Sequence, residues 1–348
     1  MYPNSTRLNR SFTHDYRSPH IYLITVTVVD REPVLSAVSG TVEQPRVELS
    51  EVGKAVKREI FAIEKRHPQV KVLFNIIMPD HVHLILHVLE RLPEKLPLGN
   101  IVAAWKQACG KAFSALLAAG EKGDLKVAHL DGQSLLSSEA NFSSPRPTKG
   151  TQQQAQLQKP PYTPLFSKGF NDSILYHRHQ LRNMMAYVKD NPRRLLVKRQ
   201  HKELFAIRRG ISVAGMTFDA VGNIALLQKA KMAVHCRRKW TEAEQKAYAE
   251  KCVDAAENGV VLVGAFISKA EKEIEQTATE RRLPIIRLVE NGFEDLYKPV
   301  GQDFDACAEG RLLLLAPWPY HGGYRKITRE QCNQLNEMAE VMVAQLVF

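Results

Sequence analysis

The sequence predicts an α+β domain of ferredoxin-like plan, β-α-β-β-α-β with one helix added, followed by an α/β domain. Three observations lead there. Between His20 and Leu196, apolar patterns of period two and period 3.6 follow one another in that order. A Ser-, Gln- and Pro-rich stretch without apolar period, residues 120–161, interrupts the order as a flexible insertion. From about Ile211 strands and helices alternate, and strands as uniformly apolar as "VVLV" and "LLLL" belong in a sheet covered on both faces. The two domains are therefore expected at 1–205 and 206–348.

Taken in order, "HIYLITVTVVDR" (20–31) alternates and is rich in β-branched residues, which suits the first strand. "SEVGKAVKREIFAIEKRH" carries Val52, Val56, Ile60 and Ile63 at helical spacing, with Ser50 as N-cap. "VKVLFNIIM" and "HVHLILHV" are two strands broken by a tight turn at Met78-Pro79-Asp80. "LGNIVAAWKQACGKAFSALLAA" is helical, and "YTPLFSKGFNDSILYHR" suits a short strand or hairpin. "RHQLRNMMAYVKDNP" is a helix expected to end near Asp190, because Pro192 disfavours α geometry in the residue before it. Beyond Ile211, strands "KMAVHCRR", "GVVLVGAFI", "LPIIRLVE" and "RLLLLAPWP" alternate with helices "TEAEQKAYAEKCVDAAEN" and "KAEKEIEQTATERR", the rhythm of a doubly wound sheet.

Hydrophobic residues at 44% and charged residues at 24% of 348 are ordinary values for a folded protein. The formal net charge of +11 favours polyanions, nucleic acid first. No segment reaches the ~18 apolar residues of a membrane span, so no membrane partner is expected. The first twenty residues hold no apolar core of signal-peptide length. The five cysteines are widely spaced with no C-x-x-C pair, as in reduced thiols of a cytoplasmic protein.

The strand "HVHLILHV" sorts by alternation into Val82, Leu84, Leu86 and Val88 on one face and His81, His83, Ile85 and His87 on the other. Two imidazoles side by side can share a metal ion, although an isolated H-x-H more often just faces solvent. A site needs a third ligand. Tyr187 and Asn191 lie four apart on one side of the later helix. Taken alone, a core aromatic and a helix-end asparagine are the commoner readings.

Together, "MPDHVHLIL" and the basic helix with "AYVKDNP" resemble the HUH single-strand transposases with one catalytic tyrosine, most closely the REP-associated tyrosine transposases. "PLFSKGFNDSIL" and "AWKQACGKAF" resemble segments of the same family, and the likeness runs from about His20 to Leu196. It implies His81 and His83 as metal ligands, Asn191 as a third, amide ligand and Tyr187 as nucleophile, with Mg²⁺ or Mn²⁺ as cofactor. Cleavage would pass through a 5′-phosphotyrosyl linkage on single-stranded or hairpin DNA. Asp80 suits a partner that orients His81, or a plain turn residue. The family includes monomers and dimers, which leaves a homodimer open. The long insertion and the second domain depart from its minimal members.

From Lys168 to Arg209 eleven Lys and Arg face three acids. Among them Lys168, Arg178, Arg182, Lys189, Arg193 and Arg194 suit phosphate contacts, as does Lys106. Tyr162, Phe166, Phe170 and Tyr176 suit stacking on bases or, more commonly, a core. In the second domain Ser268 and Glu271 are spaced as a capping box at a helix start that can hold an anion. Val260 through "LPIIRLVENGFEDLYKP" to "RLLLLAPWP" weakly resembles the Rossmann-like domains of DNA-processing protein A, implying an accessory nucleic-acid or nucleotide module, with "PWPYHGGYRK" as its ligand loop. A non-catalytic DNA-binding regulator of the same fold is the second reading, and a zinc hydrolase, lacking an acidic ligand at motif spacing, comes last.

Overall fold

The computed structural model describes residues 14–120 and 163–344 except 238, 296 and 324, and the side chains of 178 and 179 are outside it. The 120–161 insertion, beyond Gly120, and Tyr162 lie outside the described residues. The chain is a mixed α/β protein with several sheets and, among the described residues, seven α-helices. It divides into two compact units, one of Leu8–Gly40 with Arg46–Pro192, the other containing Thr41–Pro45 and Arg193–Phe348.

The first unit contains β1 (Ile21–Thr27), β2 (Ser36–Gly40), β3 (Pro45–Leu49), α1 (Glu51–Arg66), β4 (Val70–Ile77), β5 (His81–Val88), α2 (Leu98–Gly120), β6 (Asn171–Leu175) and the start of α3 (Arg178–Gln200). An antiparallel sheet runs β4-β5-β1-β6, and β2 and β3 form a separate pair that the sequence did not announce. Ser50 caps α1, accepting from the Gly53 amide at 3.0 Å. Strand alternation gives the sheet two apolar faces. Tyr22, Ile24 and Val26 with Val82, Leu84, Leu86 and Val88 pack on Val56, Ile60 and Ile63 of α1 and Leu98, Ile101 and Trp105 of α2. Each such aliphatic side chain contributes about 1.5–3 kcal/mol by leaving water. On the other face Leu23, Ile85 and Leu175 meet Met184 and Val188 of α3.

Two expectations change here. The first strand stops at Thr27, and a 3-10 turn covers Val29–Arg31 because Asp30 and Arg31 take positive φ values of 53° and 56°, which no strand accommodates. The helix carrying Tyr187 runs through Pro192 to Gln200 rather than ending near Asp190.

The second unit adds β7 (Arg208–Val213), β8 (Met216–Gly222), β9 (Lys231–Ala233), α4 (Glu242–Glu257), β10 (Val261–Gly264), α5 (Lys269–Glu280), β11 (Ile285–Leu288), α6 (Gln302–Ala308), β12 (Leu312–Ala316) and α7 (Arg329–Ala344). Its sheet runs β7-β8-β12-β11-β10-β9, with β9 to β12 parallel and β8 and β7 an antiparallel edge. The parallel strands follow one another in chain order without reversal. Right-handed crossovers therefore put α4, α5 and α6 on one face, where Cys252, Ile274 and Phe304 pack with Leu262, Ile285 and Leu312. The other face is covered by Leu335, Ala339 and Met342 of α7. The sheet is thus covered on both faces but is not doubly wound, and it has no topological switch point to mark a ligand site. Four of the five cysteines are buried, and all are free thiols. Among the described residues no helix is long and apolar enough to cross a membrane.

Candidate active site

The turn Met78-Pro79-Asp80 is latched to neighbouring chain. The amide of Val28 donates to the Asp80 carbonyl at 2.8 Å, and that of Leu35 to the Pro79 carbonyl at 3.0 Å. This fixes the Asp80 side chain beside His81, whose Nδ1 lies 2.6 Å from Oδ1, while Arg31 donates to Oδ2 at 3.2 Å. Burial works against a charge on Asp80, but the His81 hydrogen bond and the charges of His81 and Arg31 outweigh it and lower its carboxyl to about 2. One turn of the pleat further on, His83 is buried and its Nδ1 lies 2.8 Å from Thr25 Oγ1, the residue it faces across the β1–β5 ladder. Burial first, and the neighbouring His81 second, lower the His83 imidazole to about 3, so at neutral pH it carries no charge. Both Nδ1 atoms are therefore engaged, and among the described residues no hydrogen-bond partner meets either Nε2.

The two rings stand edge to face with centroids 4.8 Å apart. Tyr187, half-buried on α3, reaches the same place: its ring lies 6.2 Å from that of His83 and packs on the Leu23, Ile85 and Val188 cluster. Asn191 follows one turn later. Its Nδ2 donates to the carbonyls of Tyr187 at 3.0 Å and Val188 at 3.2 Å. The second bond explains the uninterrupted helix. Proline has no N–H for the carbonyl four residues back, here Val188, and the Asn191 side chain serves that carbonyl instead.

Among the described residues no three His, Cys, Asp or Glu cluster as a metal site. Imidazole nitrogens and an amide oxygen are donors of a kind that suits a divalent cation such as Mg²⁺ or Mn²⁺ and does not exclude Zn²⁺.

The expected phosphate contacts divide. Lys168, Arg182 and Lys189 are exposed, and Arg178 has a side chain outside the described residues. Lys106 is instead half-buried, with Nζ donating to the Ser167 carbonyl at 2.5 Å and the Gly169 carbonyl at 2.6 Å, and burial lowers its ammonium below the usual lysine range. It clamps the loop that carries Lys168, a loop also held by Ser167 donating to Thr27 and Val28. Lys106→Met is expected to cost about 1.5–3 kcal/mol, because two carbonyls lose a charged donor. The urea midpoint reads this, and weaker DNA binding at an unchanged midpoint would make Lys106 a direct phosphate contact instead. Arg193 pairs with Asp305 at 2.7 Å, and Arg194 stacks 3.6 Å above the Phe304 ring, so both make contacts within the second unit. Phe166 and Phe170 are core residues, whereas Tyr176 is 60% exposed.

In the second unit the start of α5 holds the protein's own anion. Glu271 is buried, and its carboxylate accepts from the backbone amides of Cys236, Ile267 and Ser268 at 2.9, 3.0 and 3.0 Å. The capping box is structural. The loop "PWPYHGGYRK" borders an open cleft of about 480 Å³ with Phe293, Trp318 and Tyr320, where Arg209 is held by Asp219 and Asp295. Sequence alone did not point to Thr25 or to the Lys106 clamp. Thr25, a hydroxyl among aliphatic strand neighbours, carried a weak signal; the register that gives it His83 did not.

No family model matches the chain. An uncharacterized protein of Haemophilus influenzae is 31% identical over 87 residues, 24% of this chain and 46% of that protein, so this chain matches under half of the relative's length. Among solved structures, a REP-associated tyrosine transposase bound to a REP hairpin is 13% identical, with 53% of this chain and 72% of that chain covered and a TM-score of 0.29. DNA processing protein A from Helicobacter pylori, known with a single-stranded DNA binding mode, is 15% identical over 40% of this chain and 65% of that chain, also at 0.29. Likeness this weak assigns neither activity nor partner.

Proposed function

We propose that residues 1–205 form a ferredoxin-like HUH domain that cleaves and rejoins single-stranded or hairpin DNA through Tyr187, with 206–348 as an accessory α/β module. One observation carries this: a tyrosine from α3 meets, at 6.2 Å between rings, a buried histidine of an H-x-H strand whose two imidazoles meet no hydrogen-bond partner at Nε2 among the described residues. The strand order β4-β5-β1-β6 supports the ferredoxin-like reading.

His81, His83 and Asn191 would hold the divalent cation, which supplies Lewis-acid polarisation of a phosphodiester. The chain's own part is positioning. Thr25 and Asp80 orient the imidazoles, and the sheet face orients the tyrosine. Attack by Tyr187 Oη on phosphorus forms a 5′-phosphotyrosyl bond and breaks the bond to the 3′ oxygen, which leaves as a 3′-hydroxyl with the proton the phenol gives up. The reverse reaction with another 3′-hydroxyl rejoins DNA without an external energy source. Lys168, Arg182 and Lys189 contact phosphates and make binding salt-sensitive.

End-labelled single-stranded DNA able to form a hairpin is expected to yield a covalent protein–DNA adduct with Mn²⁺ or Mg²⁺, and none with chelator. Absence of adduct with either metal overturns the catalytic reading. Hairpin binding that ignores chelator would then fit a non-catalytic regulator.

A further inference from the structure

We propose that Pro192 is a positioning residue: by leaving the Val188 carbonyl without a backbone donor inside α3, it fixes the side-chain amide of Asn191. The inference rests on the reading of Asn191 as a metal ligand. Within an α-helix the carbonyl of Val188 is served by the N–H four residues on, and residue 192 has none. The proline ring also crowds that carbonyl. Asn191, the adjoining residue, donates from Nδ2 to Val188 at 3.2 Å and to Tyr187 at 3.0 Å. Both donated bonds come from the nitrogen. An asparagine amide is planar, so two fixed bonds at Nδ2 also fix the direction of Oδ1, the atom that would ligate a metal. Pro192 is buried, and Tyr187, whose carbonyl takes one of the two bonds, is the nucleophile of the proposed reaction. A helix defect thus ties the ligand amide to the backbone under the tyrosine.

This arrangement separates two properties that mutations usually move together. Pro192→Ala restores an N–H to the Val188 carbonyl, which then no longer needs the Asn191 side chain. Interior proline is the least favourable residue in a helix, so the variant is expected to melt at a higher temperature than the native protein. With only the Tyr187 bond left to hold it, the Asn191 amide samples other rotamers, and metal affinity is expected to fall by roughly 10- to 100-fold, the usual effect of removing a group that orients a ligand.

The test measures Mn²⁺ binding by calorimetry on the full chain, without DNA, for the native protein, Asn191→Ala, Pro192→Ala and Pro192→Gln, with Tm for each. The glutamine variant restores the same N–H should the alanine variant fold poorly. Weaker Mn²⁺ binding in Asn191→Ala and in a Pro192 variant whose Tm is not lowered supports the inference. Weaker binding in Asn191→Ala with native affinity in both Pro192 variants overturns it while leaving the ligand reading intact. Native affinity in Asn191→Ala overturns the ligand reading itself, and the inference with it.

Discussion

Tyr187→Phe is expected to abolish the covalent protein–DNA adduct and to lower cleavage by on the order of 10⁴-fold or more, as removal of a covalent nucleophile does elsewhere. The change deletes one oxygen and keeps the ring that packs on Leu23, Ile85 and Val188. Tm and hairpin affinity are therefore expected to stay near the native values. Gel mobility of end-labelled hairpin under denaturing conditions reads the adduct. An adduct that survives the substitution would move the nucleophile elsewhere.

The largest expected loss of stability comes from the second unit. Arg287, on β11, donates to Glu275 of α5 and, through both terminal nitrogens, to Asp303 of α6 at 2.8 and 3.0 Å. Burial opposes its charge, but the two carboxylates outweigh that and raise its affinity for the proton, while burial raises the carboxyl of Glu275. Arg287→Met leaves both carboxylates without their cation and is expected to cost about 3 kcal/mol, the lower end for a broken buried pair because each acid keeps some solvent contact. The pH dependence follows from the direction of the shifts. Without Arg287 the Glu275 carboxyl, already raised by burial, rises further in the folded state. A carboxyl raised on folding destabilises above its unfolded value, so the deficit is largest at neutral pH and shrinks as pH falls through the carboxylate range. Urea midpoints at neutral and mildly acidic pH check this; a constant deficit would mean that lost packing, not charge, is responsible.

Much of the architecture was legible because it rests on local periodicity. The alternation of "HVHLILHV" became two packed faces, with Val82, Leu84 and Leu86 on one cluster and Ile85 on another. Ser50 and the Ser268 capping box begin their helices, each signal lying within four residues. What escaped depends on partners far along the chain. The β2–β3 pair is short and bounded by Gly40 and Pro45, so it lacked a pattern. Strand order, which turned an expected doubly wound sheet into one that advances in a single direction, is set by which edge each crossover chooses. Pro192 predicts a helix end because its ring crowds the residue before it, yet the helix runs on, and the Val188 carbonyl that Pro192 cannot serve takes a side-chain donor that no local rule announces. The same limit hid Lys106: its charge suggested phosphate, while the carbonyls of Ser167 and Gly169 lie some sixty residues on.

That clamp has a consequence for the connection it closes. Between the end of α2 at Gly120 and the start of β6 at Asn171 lie about fifty residues. Their ends are held by contacts that use no residue of positions 121–162: Lys106 to Ser167 and Gly169, Ser167 to Thr27 and Val28, and the β1–β6 ladder. The pairing of β6, and hence the helix that brings Tyr187 to the histidines, is anchored from residues on either side of that segment.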